Sequence, residues 1–576
     1  MLKFIISLCL ILQGYTILSK TVNPFGNNVY FKTQQESYPE IIEFYEVLSQ
    51  KHASINIQTF GNTDSGHPLH LITFSPDGNF DFKELQKEKA IILINNGIHP
   101  GEPDGIEATM QLFSDLVNGS VEIPKNTIVA AIPVFNIGGA LNRNSTTRTN
   151  QNGPEEYGFR GNARNYDLNR DFIKSDSRNA RAFAKIFHYI NPDVFIDNHV
   201  SNGADYQYTL THLFTQHNKL GGALGDFLNK TFVPQVEKNL KQKQWDITPY
   251  VNVFNRPPDP GFTQFIDSPR YSTGYTTLFN TLGMMVETHM LKPYEDRVKG
   301  TYELMKSMIE VTDSNYKKIK TLRKSALKEY KQGEEYPIQW KVDSTQYTSL
   351  NFKGYESDFR ESRVTGKNRL FYDRNKPFTK EVPFYNYFKS SKSVSVPKGY
   401  IIPQGWWNIV ELLQLNQIEM IQFEKDTLIQ TEVYRIEDFK TRTSAYEGHF
   451  MHYETNISKQ PEKTAVYKGD YLVLTNQPGI RYLLETLEPE AVDSFFNWNF
   501  FDTILQQKEG FSPYVFEEIA EGLLENNANL KQKFETRKQQ DKAFRENGYA
   551  QLDWLHKQSK HYEKAHMRYP IFRVID

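Results

Sequence analysis

The sequence predicts an α/β fold: an α/β/α sandwich around a mixed, largely parallel central sheet, followed by an accessory region that is β-rich and then helical. Three observations carry this expectation. Between about 25 and 330, short apolar runs of strand type alternate with longer segments of helical period. Runs such as Ile91-Ile92-Leu93-Ile94 are apolar at every position, as strands covered on both faces must be. Beyond about 335 the texture changes to short alternating runs broken by Gly, Pro and Asn, and helical spacing returns from about 485.

Taken in order, the strands are expected at 54–60, 69–74, 90–95, 127–135, 194–199, 206–214 and 283–288. Helices are expected at 105–117, 176–190, 218–240 and, long and charged, 294–331. The accessory runs include Glu432-Val433-Tyr434-Arg435-Ile436 and Tyr471-Leu472-Val473-Leu474. This divides the chain into a segment 1–19, a main domain 25–330, a β-rich region 335–484 and a helical region 485–576. There is no internal repeat.

The first segment reads as an export signal. Lys3 gives the positive start, 4–12 the apolar stretch and 16–19 a cleavage region. The apolar stretch is short for a bilayer span of about 20 residues. A periplasmic or secreted protein without a membrane span is therefore expected. The only cysteine, Cys9, lies inside that segment. A cleaved chain then has no thiolate for a metal, a disulfide or a nucleophile, so a metal would need His and carboxylates. A formal charge of -2, with no dense basic block, argues against a nucleic-acid partner.

The chemistry concentrates where apolar runs end. His99 and Glu102 lie in the Gly/Pro turn after 90–95, a neutral nitrogen donor and an anionic oxygen donor that can face one ion. His199 ends Val194-Phe195-Ile196-Asp197-Asn198, and Glu287 ends Leu282-Gly283-Met284-Met285-Val286. Two His and one Glu with a spare carboxylate are the parts of a hydrolytic zinc centre that keeps a position for water. A lone histidine is more ordinarily a solvated imidazole, and Glu287 alone could be a surface ion-pair partner. The shared placement at strand ends argues for function, because α/β sheets put their sites there. Glu447-Gly448-His449-Phe450-Met451-His452 also looks metal-rich, but in a strand its two histidines would face opposite sides.

Between these lies Tyr166-Asp167-Leu168-Asn169-Arg170-Asp171-Phe172. His-x-x-Glu, then Asp-x-Asn-Arg-x-Phe, then a strand-end His and a strand-borne Glu resembles the zinc carboxypeptidases related to carboxypeptidase A. The chain looks like an exported, bacterial-type member with an extra C-terminal region, and the likeness spans about 25–330. The resemblance implies one zinc per chain held by His99, Glu102 and His199, with Glu287 as general base. It implies that Asn169 and Arg170 hold the terminal carboxylate of a peptide, as a guanidinium fork can. It also implies an oxyanion-stabilising arginine, assigned to Arg148 with Arg143 as competitor. A mobile tyrosine is assigned to Tyr275 with Tyr271 as competitor, and Arg270 is a further carboxylate candidate.

The resulting expectation is a metallocarboxypeptidase acting on peptides with a free C-terminal carboxylate. The alternatives are a zinc amidohydrolase acting on cell-wall peptides and a non-catalytic peptide-binding protein on the same fold.

Overall fold

In the first half of the chain the strands are β1 (Ile55–Asn62), β2 (Pro68–Phe74), β3 (Ala90–Asn95), β4 (Thr127–Ile132), β5 (Val194–Ser201), β6 (Leu210–Phe214), β7 (Ile247–Pro249), β8 (Phe262–Thr263) and β9 (Leu282–His289). The computed structural model describes residues 35–575, so the expected export segment and Cys9 lie outside the described residues. All of these strands except β8 form one sheet in the order β1-β2-β4-β3-β5-β9-β6-β7. The core β4-β3-β5-β9 is parallel, β2 and β6 flank it antiparallel, and β1 pairs antiparallel with β2.

β3 shows why the sheet is buried on both sides. Its side chains alternate: Ile91 and Leu93 face Phe183, Ile186 and Phe187 of helix Arg178–Ile190. Ile92 and Ile94 face Leu112 and Phe113 of helix Asp104–Asn118 and Met305 and Met308 of helix Tyr294–Ala326. Each of the four side chains is fully buried, which stabilises the fold by about 2 kcal/mol apiece relative to exposure. Helix Arg178–Ile190 starts where the Ser177 hydroxyl accepts from the Ala180 N–H, and stops at Asn191 in the left-handed conformation.

The helix expected at 218–240 is broken. Gly221 and Gly222 adopt φ of +82° and +47°, and the chain runs as Gly222–Phe227, a π-helical turn and Val233–Gln242. A periodicity argument does not register two residues that leave the helical region of backbone space.

The later strands are β10 (Glu335–Val342), β11 (Thr348–Glu361), β12 (Asn368–Tyr385), β13 (Phe388–Ser395), β14 (Gly399–Ile402), β15 (Ile421–Gln422), β16 (Thr427–Thr441), β17 (His452–Val466), β18 (Tyr471–Leu474) and β19 (Phe572–Val574). β11 and β12 form a long hairpin whose base takes up β8 of the first half. β19 corrects the expectation that 485–576 is only helical, because it inserts between β14 and β16 and completes a six-stranded sheet. The two halves also share a core. The cluster on the Phe183–Phe187 side of the main sheet continues into Tyr336, Tyr482, Phe495 and Trp498. The accessory region thus covers one face of the sandwich. Among the described residues, no helix is long and apolar enough to cross a membrane.

Candidate metal centre and cleft

β3 ends at Asn95, and the chain turns through Gly97 at φ +66° to place His99 and Glu102 beyond the carboxyl end of the sheet. A Cβ on Gly97 would press against Ile106 and Val134, and one on Gly101 would collide with Arg148 Nε. The turn therefore requires glycine at both positions. β5, next to β3, delivers His199 to the same end.

His99, Glu102 and His199 converge, with one donor atom from each lying within 4.8 Å of the others. All three are buried at 3–4% exposure, and no other such cluster occurs among the described residues. His99 Nδ1 is 3.2 Å from Glu102 Oε1, and His199 Nδ1 is 3.0 Å from Glu102 Oε2. The opposite ring nitrogens are held from behind: His99 Nε2 by Asp167 at 2.9 Å, and His199 Nε2 by Asp197 at 3.1 Å. Asp197 in turn accepts from the Ser272 hydroxyl. Two imidazoles with their Nε2 atoms engaged by carboxylates, plus a shared Glu, are a donor set suited to zinc. The residues present fit the ion.

The electrostatics point the same way. Burial raises the Glu102 carboxyl, but the charges of His99 and Arg148 outweigh it and hold the group well below the usual carboxylate range. Burial lowers the His199 imidazole, but Asp197 and Glu102 carry it well above its ordinary value. The pocket thus favours a Glu102 anion beside a positively charged His199, an electrostatic demand that a dication would also meet.

Glu287 lies opposite His199 in the β5/β9 register and lines the same pocket of about 290 Å³. Burial is the main cause of its carboxyl being pushed up to about 8. The anions Glu102 and Asp197 add to the rise, while His199 and Arg160 oppose it. Asn169, 5% exposed, also lines the pocket, and its Oδ1 accepts from the Ser272 N–H at 3.2 Å. Arg170 donates to the Asn169 carbonyl at 2.8 Å and lies 4.6 Å over the Tyr271 ring.

One assignment needs correction. Tyr275 is 1% exposed and packs on Phe183 and Phe187, and its hydroxyl donates to Asn416 at 2.5 Å. It is a core residue on the accessory side. Tyr271, just before helix Ser272–Thr277, is the tyrosine of this segment that lines the pocket. Arg148 stands beside the His99, Glu102 and His199 cluster, donating to Glu102 at 2.8 Å and to Gln151 at 3.3 Å. Its competitor Arg143 is turned away, donating to the Gln35 carbonyl and to Glu156. Arg160 lines the pocket instead, donating to Asp167 at 2.8 and 3.0 Å with Nη1 3.7 Å from Glu102.

Arg160 sits in Gly158-Phe159-Arg160-Gly161, where nothing local distinguishes it from a loop arginine. Asp197 carries a readable signal, because it precedes His199 by two residues and shares its strand face. Arg270 is engaged by Asp493, and His449 by Asp176 at 2.7 Å. The rest of the lining is uncharged: Leu213 and Met285, register partners on β6 and β9, with Phe265, Tyr250 and the amides Asn202 and Asn252.

The family comparison agrees with this geometry. Residues 41–198 match the family model described as zinc carboxypeptidase, a span that contains His99, Glu102, Asn169 and Arg170 and stops just before His199. Carboxypeptidase 2 of Trichophyton rubrum is 19% identical over 432 residues, covering 71% of this chain and 73% of that protein. Carboxypeptidase 2 of Trichophyton tonsurans is 20% identical over 436 residues with the same coverage. Similar solved structures include a putative carboxypeptidase from Burkholderia mallei, at 16% identity and TM-score 0.37, covering 49% of this chain and 69% of that one. Carboxypeptidase A from Helicoverpa armigera is similar at 14% identity and TM-score 0.38, covering 50% and 75%. Over residues 41–198, which carry His99 and Glu102, the chain is thus similar to the zinc carboxypeptidases.

Proposed function

We propose that the protein is an exported zinc metallocarboxypeptidase that releases C-terminal residues, preferentially apolar ones, from peptides. The observation that carries this reading is the convergence of His99, Glu102 and His199 with Glu287 beside them in one pocket. His99, Glu102 and His199 would hold zinc, which supplies an acidified water and polarises the scissile carbonyl. Glu287 takes the proton of the attacking water and passes it to the leaving amine.

Asn169 and Arg170 receive the substrate's terminal carboxylate, with Tyr271 fixing the plane of the guanidinium. Arg160 is the guanidinium available to the developing oxyanion, because Arg148 is committed to Glu102. The terminal side chain lies against Leu213 and Met285, where an apolar group gains burial and a charged one would lose hydration without a partner. Export rests on the N-terminal sequence alone.

The test is zinc content of the purified protein together with amino-acid release from peptides ending in Leu, Phe, Arg, Glu or D-Ala. Release of Leu and Phe ahead of Arg and Glu is expected. Selective release of D-Ala would instead support a cell-wall substrate. Absence of release from all of them would refute the reading.

A further inference from the structure

The accessory region reaches the cleft at two points, one on the backbone that carries the carboxylate-binding pair and one on the segment packed against that pair. The first is the tip joining β16 to β17. Glu447 Oε2 accepts from the backbone N–H of Asp167 at 2.8 Å, two residues before Asn169. Glu447 has φ of +48°, a left-handed conformation that costs a non-glycine residue about 1 kcal/mol or more. Its neighbours fix the tip. A Cβ on Gly448 would lie 3.0 Å from the Tyr166 hydroxyl, and His449 holds Asp176. Burial raises the Glu447 carboxyl, the Asp167 N–H opposes that rise and the Asp167 charge adds to it. A half-buried acid facing another acid is costly to keep, and here it engages a backbone donor of the Asp167–Arg170 turn.

The second point is Asp493, which is fully buried. It accepts from the Arg270 N–H at 2.9 Å, from Arg270 Nε at 2.8 Å and from Trp498 Nε1 at 3.1 Å. Arg270 immediately precedes Tyr271, which lies under Arg170, and Ser272, whose N–H binds Asn169 Oδ1. Each member of the Asn169–Arg170 pair is therefore backed by a segment that the accessory region holds in place.

We propose that the accessory region is a working part of the cleft, in which Glu447 and Asp493 are positioning residues that set the affinity of Asn169 and Arg170 for a substrate carboxylate. This rests on reading that pair as the carboxylate site. The family-model match ends at residue 198, so neither residue falls within it. Their effect should appear in discrimination between a free carboxylate and its amide, because Glu447 meets Asp167 at the backbone N–H while His99 is held by the Asp167 carboxylate, which Arg160 also anchors.

The experiment uses the full chain with Glu287→Gln as the uncleaving parent, and measures Kd for an N-blocked Phe-Leu dipeptide and for its C-terminal amide. Zinc content and Tm are recorded alongside. Glu447→Ala is expected to weaken binding of the acid roughly ten-fold, equivalent to about 1.4 kcal/mol, with amide affinity and zinc content unchanged. Glu447→Gln, whose amide oxygen can still accept from Asp167, should stay within about two-fold of the parent. Glu447→Asp, one methylene short, should resemble Glu447→Ala and serves if that variant folds poorly.

The proposal is overturned if these variants bind the acid as tightly as the parent, or lose acid and amide affinity in equal measure. A parent that does not prefer acid over amide would instead remove the carboxylate-site reading, and this proposal with it.

Discussion

His199 and Glu287 stand opposite each other on neighbouring parallel strands, 88 residues apart in sequence and adjacent in the β5/β9 register. One is placed to face a cation and the other to take a proton beside it. Adjacent strands of a sheet lie about 4.8 Å apart, so the two roles are served at contact range without loop flexibility. Glu102 and Glu287 are both buried acids in this pocket, yet their carboxyls are driven in opposite directions. Arg148 and the histidines stabilise the first as an anion, while burial and neighbouring negative charge oppose ionisation of the second.

Asp167 and Asp197 should govern metal affinity. Each engages the Nε2 of a histidine whose Nδ1 faces Glu102. Asp167→Ala is expected to weaken zinc binding by about 10- to 100-fold in competition titrations with a chelator. Unchanged affinity would mean that His99 is oriented by its turn alone.

The two arginines should separate kinetically. Arg160→Ala is expected to lower kcat by about 100-fold at little-changed KM, the behaviour of a group that acts on charge developing in the transition state. Arg148→Ala should act mainly on zinc retention, because its guanidinium is engaged by Glu102. Steady-state kinetics at saturating zinc decide between the assignments. A larger loss of kcat in Arg148→Ala would reverse them.

Specificity should follow the apolar part of the pocket lining. Leu213→Asp places an anion beside Met285, and is expected to reduce kcat/KM for peptides ending in Leu by about 10-fold or more while raising it for those ending in Arg. An unaltered Leu to Arg ratio would show that terminal side chains bind elsewhere.

His188 gives the fold a pH dependence of its own. Burial lowers this imidazole to about 4, against a partial opposing effect of its hydrogen bond to Asn416, and the ordinary value is 6.5. The unfolded chain therefore takes up the proton first. Between pH 6.5 and 4 the unfolded state binds more protons, and stability falls as pH falls. By about pH 5 the difference amounts to at most about 2 kcal/mol. Urea unfolding of wild type and His188→Gln across about pH 4.5–7.5 should show a steeper acid loss in the wild type. Parallel curves would contradict it.

Much of the fold and the site is legible in the sequence, for definite physical reasons. β3 is apolar at every position but its last because both its faces are covered, and the turn after it is marked by glycines that the backbone geometry requires. Those two signals locate His99 and Glu102, and the same strand-end logic locates His199 and Glu287. Sequence reasoning misplaces Tyr275 because two tyrosines lie four residues apart across the start of a short helix, and only packing decides which one turns into the core. It passes over Arg160 because the role of that residue comes from contacts with Asp167 and Glu102, which no local pattern encodes. The shared core and the Glu447 contact are invisible to it for the same reason, since Glu447 and Asp167 are 280 residues apart.

The central claim is best tested by one comparison: wild type against Glu287→Gln, both with zinc content measured, on a peptide ending in Leu with a free carboxylate and on its C-terminal amide. The account predicts equal zinc in the two proteins, leucine release by the wild type from the acid far faster than cleavage of the amide, and a loss of about 1,000-fold or more in the variant. Undiminished release by zinc-loaded Glu287→Gln, or equal cleavage of acid and amide by the wild type, would contradict it.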